Sequence, residues 1–461
     1  MDTKELPPFS VPTDSRVRKH TYRSTRLIIA CIIVQVVILI YHLAGAPKSI
    51  SSLYSSYAPE PDFSHLAERC AHISPIPTSS FVHRQQALAQ TLHELNASAY
   101  IAEPGASAAY FANLSASHWH LSERPLLLIV SPKLDSNEQV HAQISILTPA
   151  FESTRAKLLS IPSNGEITYP SWPEEVNPYE VAVSAVPQLK EGTIYVDGML
   201  RSFVLDGLQK AAARSNVLTA PVEIRRLRER KSAEELEILK CVNEATVLAI
   251  RAVRENVKIG VRESEVSHLM SAALSAAGLS NGGCLTLFGE NAALPHGSGT
   301  DRVLGAHDFV LVDCDAGLHG YRSDVTRTYA LPQSTIHATH LRIWQLVHSA
   351  QANALAAAQN GTVTAEVDAA ARDTFAAQGY AQYFTHRLGH GIGLETHESP
   401  YLRGGSEDVI LTGHTFSDEP GVYIEGQVGI RLEDCFYVHE NGTAVFLTAG
   451  VGGAARGPWD P

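Results

Sequence analysis

The strongest constraint on this chain is a set of carboxylates placed inside apolar segments that otherwise have the pattern of β-strands. Four such segments occur, at residues 311–315, 321–328, 417–424 and 428–434. Asp313 and Asp315 are two residues apart, so on a strand both side chains point to the same face. Burying a carboxylate is costly unless it is paired or bound to a cation. The pattern therefore favours a buried cation site.

A run rich in histidine and glycine, at residues 386–398, lies between the second and third of these segments. Its histidines are His386, His390 and His397, and its glycines let the backbone pass close to a ligand. Imidazole is a common neutral metal ligand and a proton carrier near pH 7. Carboxylates combined with imidazole suit Mn, Co or Zn, and a pair of such ions activates water and polarises a carbonyl. These residues therefore indicate a dinuclear metallohydrolase.

Composition limits the class of protein and the kind of partner. The 461 residues are enough for a large core and two globular domains. Hydrophobic residues make up 44% and charged residues 18%, as in a folded protein and unlike a disordered one. The net charge is −12 and the globular part has no basic stripe, which argues against nucleic acid as a partner.

The N-terminal segment has the pattern of a membrane anchor. Five basic residues lie between positions 16 and 26, and a largely apolar run at 27–46 follows them. As a helix, about 20 residues span roughly 30 Å, the thickness of a bilayer core. The basic side is expected to stay cytoplasmic. This predicts a single-pass type II membrane protein with a tail at 1–26, an anchor at 27–46, a stalk at 47–75 and a lumenal or extracellular body.

A second interpretation of the same segment is a cleaved signal peptide, because residues 44–46 are small, as at a cleavage site. In that case the protein is secreted. Candidate glycan acceptors of the Asn-x-Ser/Thr pattern are Asn96, Asn113, Asn360 and Asn441. Five cysteines follow the predicted anchor without a CxxC pair, which excludes a zinc finger. In an oxidising compartment an odd number leaves one thiol free, and we expect Cys314 and Cys435 to be packing residues and not halves of disulfides.

Helical and strand patterns divide the rest of the chain into two parts. A helical pattern begins near Phe81, and short apolar runs of the buried-strand type follow it. No cluster of chemically active residues occurs before residue 222. The sequence therefore predicts a smaller α/β domain at 76–222 and a catalytic domain at 223–455.

Helices after this boundary are predicted near 232–253, 263–277, 339–358 and 363–378. The first of them begins with a predicted capping box, in which Ser232 is the N-cap and Glu235 is three residues later. The basic run at 225–231 before it is interpreted as an exposed linker and not as a binding patch.

In its acidic and histidine segments the chain resembles the pita-bread metallopeptidases, in the prolidase and Xaa-Pro aminopeptidase branch. The family pattern Asp…Ser-Asp-x-Thr-Arg-Thr falls on Asp313 and Asp324, and Gly-His-Gly-x-Gly-Leu-x-x-His-Glu falls on 389–398. Glu-Pro-Gly-x-Tyr falls on 419–423, and Gly-x-Arg-x-Glu-Asp falls on 429–434. The resemblance implies an α/β (α+β) protein, with a C-terminal pita-bread creatinase/aminopeptidase fold after a creatinase-like N-terminal domain.

The resemblance also implies roles for individual residues. The implied ligands of two divalent ions, with manganese expected and cobalt or zinc as alternatives, are Asp313, Asp324, His390, Glu419 and Glu433. Glu419 is expected to accept a proton from water and pass it to the leaving nitrogen. His296 and His397 are expected to contact the substrate and stabilise the oxyanion. His386 and Arg431 are expected to line the site where the proline and its backbone are held.

One position departs from the family pattern, which usually has Asp-x-Gly after the first ligand. A match shifted to Asp315 and Gly317 would restore that pattern but shorten the distance to Asp324 by two residues. We expect Asp313 to be the ligand and Asp315 to point into solvent at the strand end. The alternative is that Asp315 adds negative charge beside the metals.

The implied activity is hydrolysis of the Xaa-Pro bond, in dipeptides or at peptide N-termini, through a hydroxide held between the two ions. The family further suggests a homodimer. Two other functions stay open at this point. One is a non-catalytic peptide-binding module on the same fold. The other is an amidinohydrolase of the creatine type, which in this fold lacks the metal ligands.

Overall fold

The structure is a computed structural model that describes residues 61–461. The predicted tail at 1–26, the anchor at 27–46 and residues 47–60 of the predicted stalk lie outside the described residues. Within the described residues, no helix combines the length and the apolar character needed to cross a membrane. The described chain forms two α/β units that follow each other along the sequence.

A six-stranded mixed sheet forms the centre of the first unit. Its strands are β1 (Ala97–Ala102), β2 (Leu127–Leu134), β3 (Val140–Pro149), β4 (Ser171–Trp172), β5 (Gly192–Val196) and β6 (Ser215–Thr219). Its helices are α1 (Thr78–Glu94), α2 (Ala106–Ala112), α3 (Ser153–Lys157), α4 (Pro178–Ala185) and α5 (Ser202–Ala211). The strand order is β4-β3-β2-β1-β5-β6; β1, β5 and β6 are parallel, and β2 is antiparallel to both of its neighbours.

Helices pack on both faces of this sheet at its central strands. Along β1, Tyr100 and Ala102 pack in the core that contains α1, whereas Ala99 and Ile101 pack in the core that contains α4 and α5. This alternation is the two-residue period of a strand. Because neither face meets solvent, the central strands are nearly continuous apolar runs, which is the signal that predicted them.

The two units are joined by α6 (Val222–Glu229), which leads into α7 (Ala233–Arg254). The capping box predicted for α7 is confirmed, with the hydroxyl of Ser232 accepting from the N–H of Glu235. The interpretation of residues 225–231 as an exposed linker is wrong. Most of this run is helical and Lys231 is buried, because the carboxylate of Glu398 lies 2.7 Å from its ammonium nitrogen.

The second unit has four main helices and ten strands. Its helices after α7 are α8 (Glu263–Ala276), α9 (Ala338–Ala357) and α10 (Thr364–Ala376). Its strands are β7 (Ser280–Phe288), β8 (Val310–Leu318), β9 (Tyr321–Tyr329), β10 (Gly389–Gly391), β11 (Glu398–Leu402), β12 (Thr415–Asp418), β13 (Gly421–Ile424), β14 (Val428–Arg431), β15 (Asp434–Val438) and β16 (Ala444–Phe446). They form a three-stranded sheet β7-β8-β9, a five-stranded sheet β11-β10-β12-β15-β16 and the pair β13-β14, all antiparallel.

Helices cover one face of the sheet β7-β8-β9, and the acidic residues of β8 lie on the other face. Along β8, Val312, Cys314 and Ala316 belong to the core shared with α7 and α8. Because neighbouring strand residues point to opposite faces, Asp313 and Asp315 lie on the face away from these helices. Helices α9 and α10 pack against the remaining strands in a second core.

The cysteines form two disulfides within residues 61–461, Cys70–Cys241 and Cys284–Cys314. The expectation that Cys314 is only a packing residue is therefore wrong. Cys314 lies directly opposite Cys284 in the register of β7 and β8, which sequence spacing does not reveal. Among the cysteines that the structure describes, Cys435 is free and buried, as expected.

The described part of the predicted stalk is packed on the second unit. Phe63 and Leu66 are buried in the core formed with α7 and α8, and the disulfide of Cys70 attaches the same segment to α7. The asparagines of the four sequons are all exposed. Their side chains are thus accessible to modification on the folded protein.

A buried ion pair connects the first unit to the second. Arg84, on α1, lies 3.2 Å from the carboxylate of Glu235 at the start of α7 (Nη2 to Oε2). The hydroxyl of Tyr321, on β9, donates to the other carboxylate oxygen at 2.8 Å. The guanidinium also stacks on the ring of Tyr110 in the first unit, at 4.1 Å from its centroid. These contacts fix the orientation of α1 relative to α7.

We expect the substitution Arg84→Met to lower the free energy of unfolding by about 3–5 kcal/mol, because it leaves the Glu235 carboxylate buried without a cationic partner. Urea titration followed by circular dichroism measures the change. The control is Lys210→Met, which removes an ammonium from an exposed pair with Asp206, and this variant should unfold like the wild type. Equal stability of the Arg84 variant and the wild type would contradict the assigned role of the pair.

Candidate metal centre

The structure brings the five predicted metal ligands together from five separate segments. Asp313 lies on β8, Asp324 on β9 and His390 on β10, while Glu419 follows β12 and Glu433 follows β14. One group of ligand atoms comes from Asp313, Asp324 and Glu433, and another from His390, Glu419 and Glu433. Within each group all ligand atoms lie within 4.8 Å of one another. The arrangement has the dimensions of a site for metal ions.

Backbone pairing explains why residues so far apart in sequence meet. In the antiparallel pair β8-β9, Asp313 is opposite Thr326, two residues from Asp324, so both ligands share a face. The N–H of Glu433 donates to the carbonyl of Thr326 at 3.0 Å, and the N–H of Glu419 donates to the carbonyl of Leu388 at 2.9 Å. The first bond ties the Glu433 segment to β9, and the second joins the segments next to β10 and β12 that carry His390 and Glu419.

His390 is oriented with one ring nitrogen toward the carboxylates. Its Nδ1 lies 3.1 Å from the carbonyl of Gly391, an acceptor, which places the ring proton on Nδ1. Its Nε2 lies 3.2 Å from an oxygen of Glu419 and 3.5 Å from an oxygen of Asp324, so this nitrogen would face a metal ion and ligate it once deprotonated. The strand can approach this closely because position 389 is glycine, where a Cβ would overlap the carbonyl of Ser417.

The electrostatics of the centre indicate an excess of negative charge. Burial raises the pKa of Asp324 and of Glu433, and repulsion from the neighbouring carboxylates adds to the rise. The carboxylates of Asp324 and Glu419 raise the pKa of His390 although burial opposes this. One oxygen of Glu433 is buried and has no hydrogen-bond partner in the described part of the chain. Four carboxylates and an imidazole are a donor set suited to hard or borderline divalent cations, so these residues fit two such ions.

Two buried hydroxyls, whose roles the sequence did not reveal, orient the ligands. Thr326 donates to Glu433 at 2.6 Å. Ser417 donates to Glu419 at 3.1 Å and accepts from the backbone N–H of His390 at 3.1 Å. Hydrogen bonds of this type hold ligating carboxylates in place. The available signal was a hydroxyl residue two positions after Asp324 and two positions before Glu419 on β-rich segments.

Arg431 and His386 contact protein groups in this structure. Arg431 donates to a carboxylate oxygen of Asp313 at 2.7 Å and to the hydroxyl of Tyr423 at 3.0 Å, and its side chain is buried. His386 lies 2.8 Å from the same hydroxyl through Nε2 and 2.6 Å from the carbonyl of Arg387 through Nδ1. The role of Arg431 and His386 in holding the substrate stays a prediction. In this structure Arg431 orients the ligand Asp313, and both side chains contact the hydroxyl of Tyr423.

His397 and His296 differ in their distance from the ligands. The ring of His397 is exposed, and its centroid lies 4.1 Å from that of His390. Burial and the positive charges of His390 and Arg387 lower its pKa to about 4, so it is neutral near pH 7. His296 is exposed, and the preceding Pro295 accepts a hydrogen bond from Arg431 at 3.4 Å. Within the described residues, His397 forms a group with Asp324 and His390 whose ligand atoms all lie within 4.8 Å of one another, whereas His296 belongs to no such group.

Asp315 does not simply point into solvent. It lies opposite Asp324 in the register of β8 and β9, and its side chain is 38% exposed. Its carboxylate forms an ion pair with Arg322. The guanidinium offsets the charge of Asp315, so the residue adds little net charge beside the five ligands.

A cavity of about 690 Å³ extends from His397 to the first unit. Its walls include Glu395 and Tyr401 from the second unit and Tyr100 and Met199 from the first. The volume exceeds that of a dipeptide, so the cavity has room for a peptide that continues away from the centre.

The chain is similar in sequence to a family of metallopeptidases and to individual peptidases. Residues 237–440 match metallopeptidase family M24. An uncharacterized peptidase of Schizosaccharomyces pombe is 36% identical over 421 residues, which cover 90% of this chain and 90% of that protein. A Xaa-Pro dipeptidase of Pyrococcus furiosus is 32% identical over 252 residues, 54% of this chain and 72% of that protein.

Solved structures give the same result for the fold. The dipeptidase PepE of Mycobacterium ulcerans superimposes with a TM-score of 0.72 at 28% identity, covering 81% of this chain and 97% of that one. A dipeptidase of Pyrococcus horikoshii gives a TM-score of 0.67 at 26% identity, covering 79% and 97%. The predicted fold class is confirmed. The extent of these matches in sequence and structure shows that the chain belongs to metallopeptidase family M24.

Proposed function

We propose that this protein hydrolyses the peptide bond between an amino acid and a following proline, in dipeptides or at peptide N-termini. The observation that carries the proposal is the convergence of Asp313, Asp324, His390, Glu419 and Glu433 into groups of ligand atoms. The resemblance to a Xaa-Pro dipeptidase supports the specificity for proline. The family is dimetal-dependent, and we propose manganese as the metal.

Asp324 and Glu433 would be shared between the two ions. Glu433 belongs both to the group with Asp313 and Asp324 and to the group with His390 and Glu419. Asp324 belongs in addition to a group with His390 and His397. The oxygen Oε2 of Glu433 accepts from Thr326, and its Oε1 has no hydrogen-bond partner among residues 61–461. When bound, two divalent ions lower the pKa of water and polarise the scissile carbonyl.

Glu419 would move the proton. Its side chain is 17% exposed, so it reaches the open side of the centre, and Ser417 fixes its orientation. The proline nitrogen in the scissile bond carries no hydrogen, so cleavage must deliver a proton to it as its bond to the carbonyl carbon breaks. A carboxylate that takes this proton from the attacking water and passes it to nitrogen balances the step. His397, which is neutral and beside the ligands, would contact the substrate carbonyl, and His296 is proposed for the same face.

The location proposed for the enzyme is the lumenal or extracellular side of a membrane, with the anchor at 27–46. Two disulfides within 61–461 support an oxidising compartment. The four exposed sequon asparagines are compatible with it. The homodimer stays a prediction.

The first test of the activity uses two ligand variants and two matched controls. With manganese, Glu419→Gln and His390→Ala should lower kcat/KM for Ala-Pro by at least about 100-fold, because one loses the proton carrier and the other a ligand. The controls Glu366→Gln and His268→Ala make the same chemical changes at exposed positions on α10 and α8 and should leave it unchanged. Release of proline measures the rate.

Two outcomes would count against the proposal. Unchanged activity in both ligand variants would remove the assigned roles. A wild type that binds manganese and Ala-Pro but releases no proline would instead favour the peptide-binding module.

Metal removal gives a second test, with stability as its readout. Because the carboxylates of the centre repel one another, the chelator-treated protein should unfold at a lower temperature than the manganese-loaded one. At a free metal concentration about 100 times Kd, one bound ion adds about 2.7 kcal/mol. Glu433→Gln should reduce this difference, whereas Glu366→Gln should keep it. Midpoints that do not respond to manganese would show that the residues do not form a metal site.

A further inference from the structure

One cationic side chain beside the metal centre has no carboxylate partner within the described residues. Arg387 is half-buried, and its guanidinium forms no ion pair with any residue in 61–461. The neighbouring buried guanidiniums are both paired, Arg431 with Asp313 and Arg327 with Asp434. A half-buried cation without an anion is costly, and an anionic ligand would remove that cost.

The guanidinium is held on the same face as the ligands. Tyr401 on β11 lies opposite His390 on β10, so the two side chains project from the same face of the sheet. The guanidinium carbon of Arg387 lies 4.7 Å from the centroid of the Tyr401 ring. Arg387 is therefore oriented before any substrate arrives.

We propose that Arg387 binds a carboxylate of the substrate and selects substrates that carry one near the scissile bond. The inference rests on the proposed peptidase function and deepens it. A planar guanidinium can bind both oxygens of a carboxylate, and stacking on an aromatic ring reduces the freedom it must lose. The carboxylate can come from two places, the free C-terminus of a Xaa-Pro dipeptide or an acidic side chain on the residue before proline.

The cavity beyond His397 suggests a different substrate preference, for longer peptides without a carboxylate near the scissile bond. It could take a peptide chain that continues after proline, in which case no free carboxylate would lie beside the centre. The guanidinium in this cavity nearest the histidine segment, Arg228, is already paired with Glu395 and with Glu398. Arg387 is thus better placed than Arg228 to recognise an additional carboxylate.

The experiment compares Arg387→Met with Arg403→Met as a matched control. Arg403 contacts the same Tyr401 ring, at 5.8 Å, but is exposed. The full-length manganese-loaded protein is assayed with Ala-Pro, Ala-Pro amide, Ala-Pro-Ala and Glu-Pro amide. Thermal unfolding of each variant confirms that it is folded.

Recognition of the C-terminus predicts that Arg387→Met raises KM for Ala-Pro by about 10- to 100-fold, with kcat changed less than about threefold, and leaves Ala-Pro amide unaffected. Arg387→Lys should restore part of the loss. Recognition of an acidic side chain predicts that KM rises for Glu-Pro amide alone. In either case Arg403→Met should behave as the wild type.

The proposal is overturned if Arg387→Met and Arg403→Met have equal KM values on all four substrates, or if Ala-Pro-Ala is preferred and no substrate discriminates between the variants. A wild type that cleaves none of the four is a failure of the proposed function. In that case calorimetric titration of the manganese-loaded protein decides the inference separately. The inference is supported if the wild type binds Ala-Pro more tightly than Ala-Pro amide, or Glu-Pro amide more tightly than Ala-Pro amide, and Arg387→Met loses that preference. Equal binding by the wild type in both comparisons overturns the inference.

Discussion

Repulsion among buried carboxylates is the constraint on which the second unit depends. Asp313, Asp324, Glu419 and Glu433 are held within a few ångströms of shared neighbours, where the low local dielectric makes like charges costly. The protein offsets only part of this repulsion. Arg431 pairs with Asp313, and Thr326 donates to Glu433. The negative charge that remains makes the site suited to cations. The surrounding structure must also be rigid enough to prevent the carboxylates from moving apart.

That rigidity comes from a buried polar layer on the opposite side of β9. Arg327 is fully buried and donates to the carboxylate of Asp434 at 2.8 Å and to the carbonyl of Glu433 at 2.7 Å. Gln351 on α9 donates to the other oxygen of Asp434 at 3.2 Å. The chain before and after Glu433 is thereby tied to β9. A buried ion pair is weak evidence for stability in itself, but here its geometry fixes where a neighbouring ligand lies.

The sequence was informative wherever the signal was local. The five ligand positions lie in short motifs, and the predicted helices end within a few residues of the observed ones, because caps and apolar periods are local properties. It failed where the partner is distant. Lys231 was placed in an exposed linker because Glu398, which neutralises it, is 167 residues away. The disulfide of Cys314 depends on strand register, and the pairing of Asp315 depends on the orientation of Arg322.

The first unit supplies none of the five ligands, yet it contacts the segment that carries His397. The hydroxyl of Tyr110 donates to the carbonyl of Leu227 at 2.6 Å and so holds α6 against the first unit. From α6 and the residues after it, Arg228 pairs with Glu395 and Lys231 pairs with Glu398. These two carboxylates flank His397 in sequence, so the first unit and the joint between the units determine where that ring lies. The metal ligands are therefore positioned by the second unit alone, whereas the face that meets a substrate depends on both units.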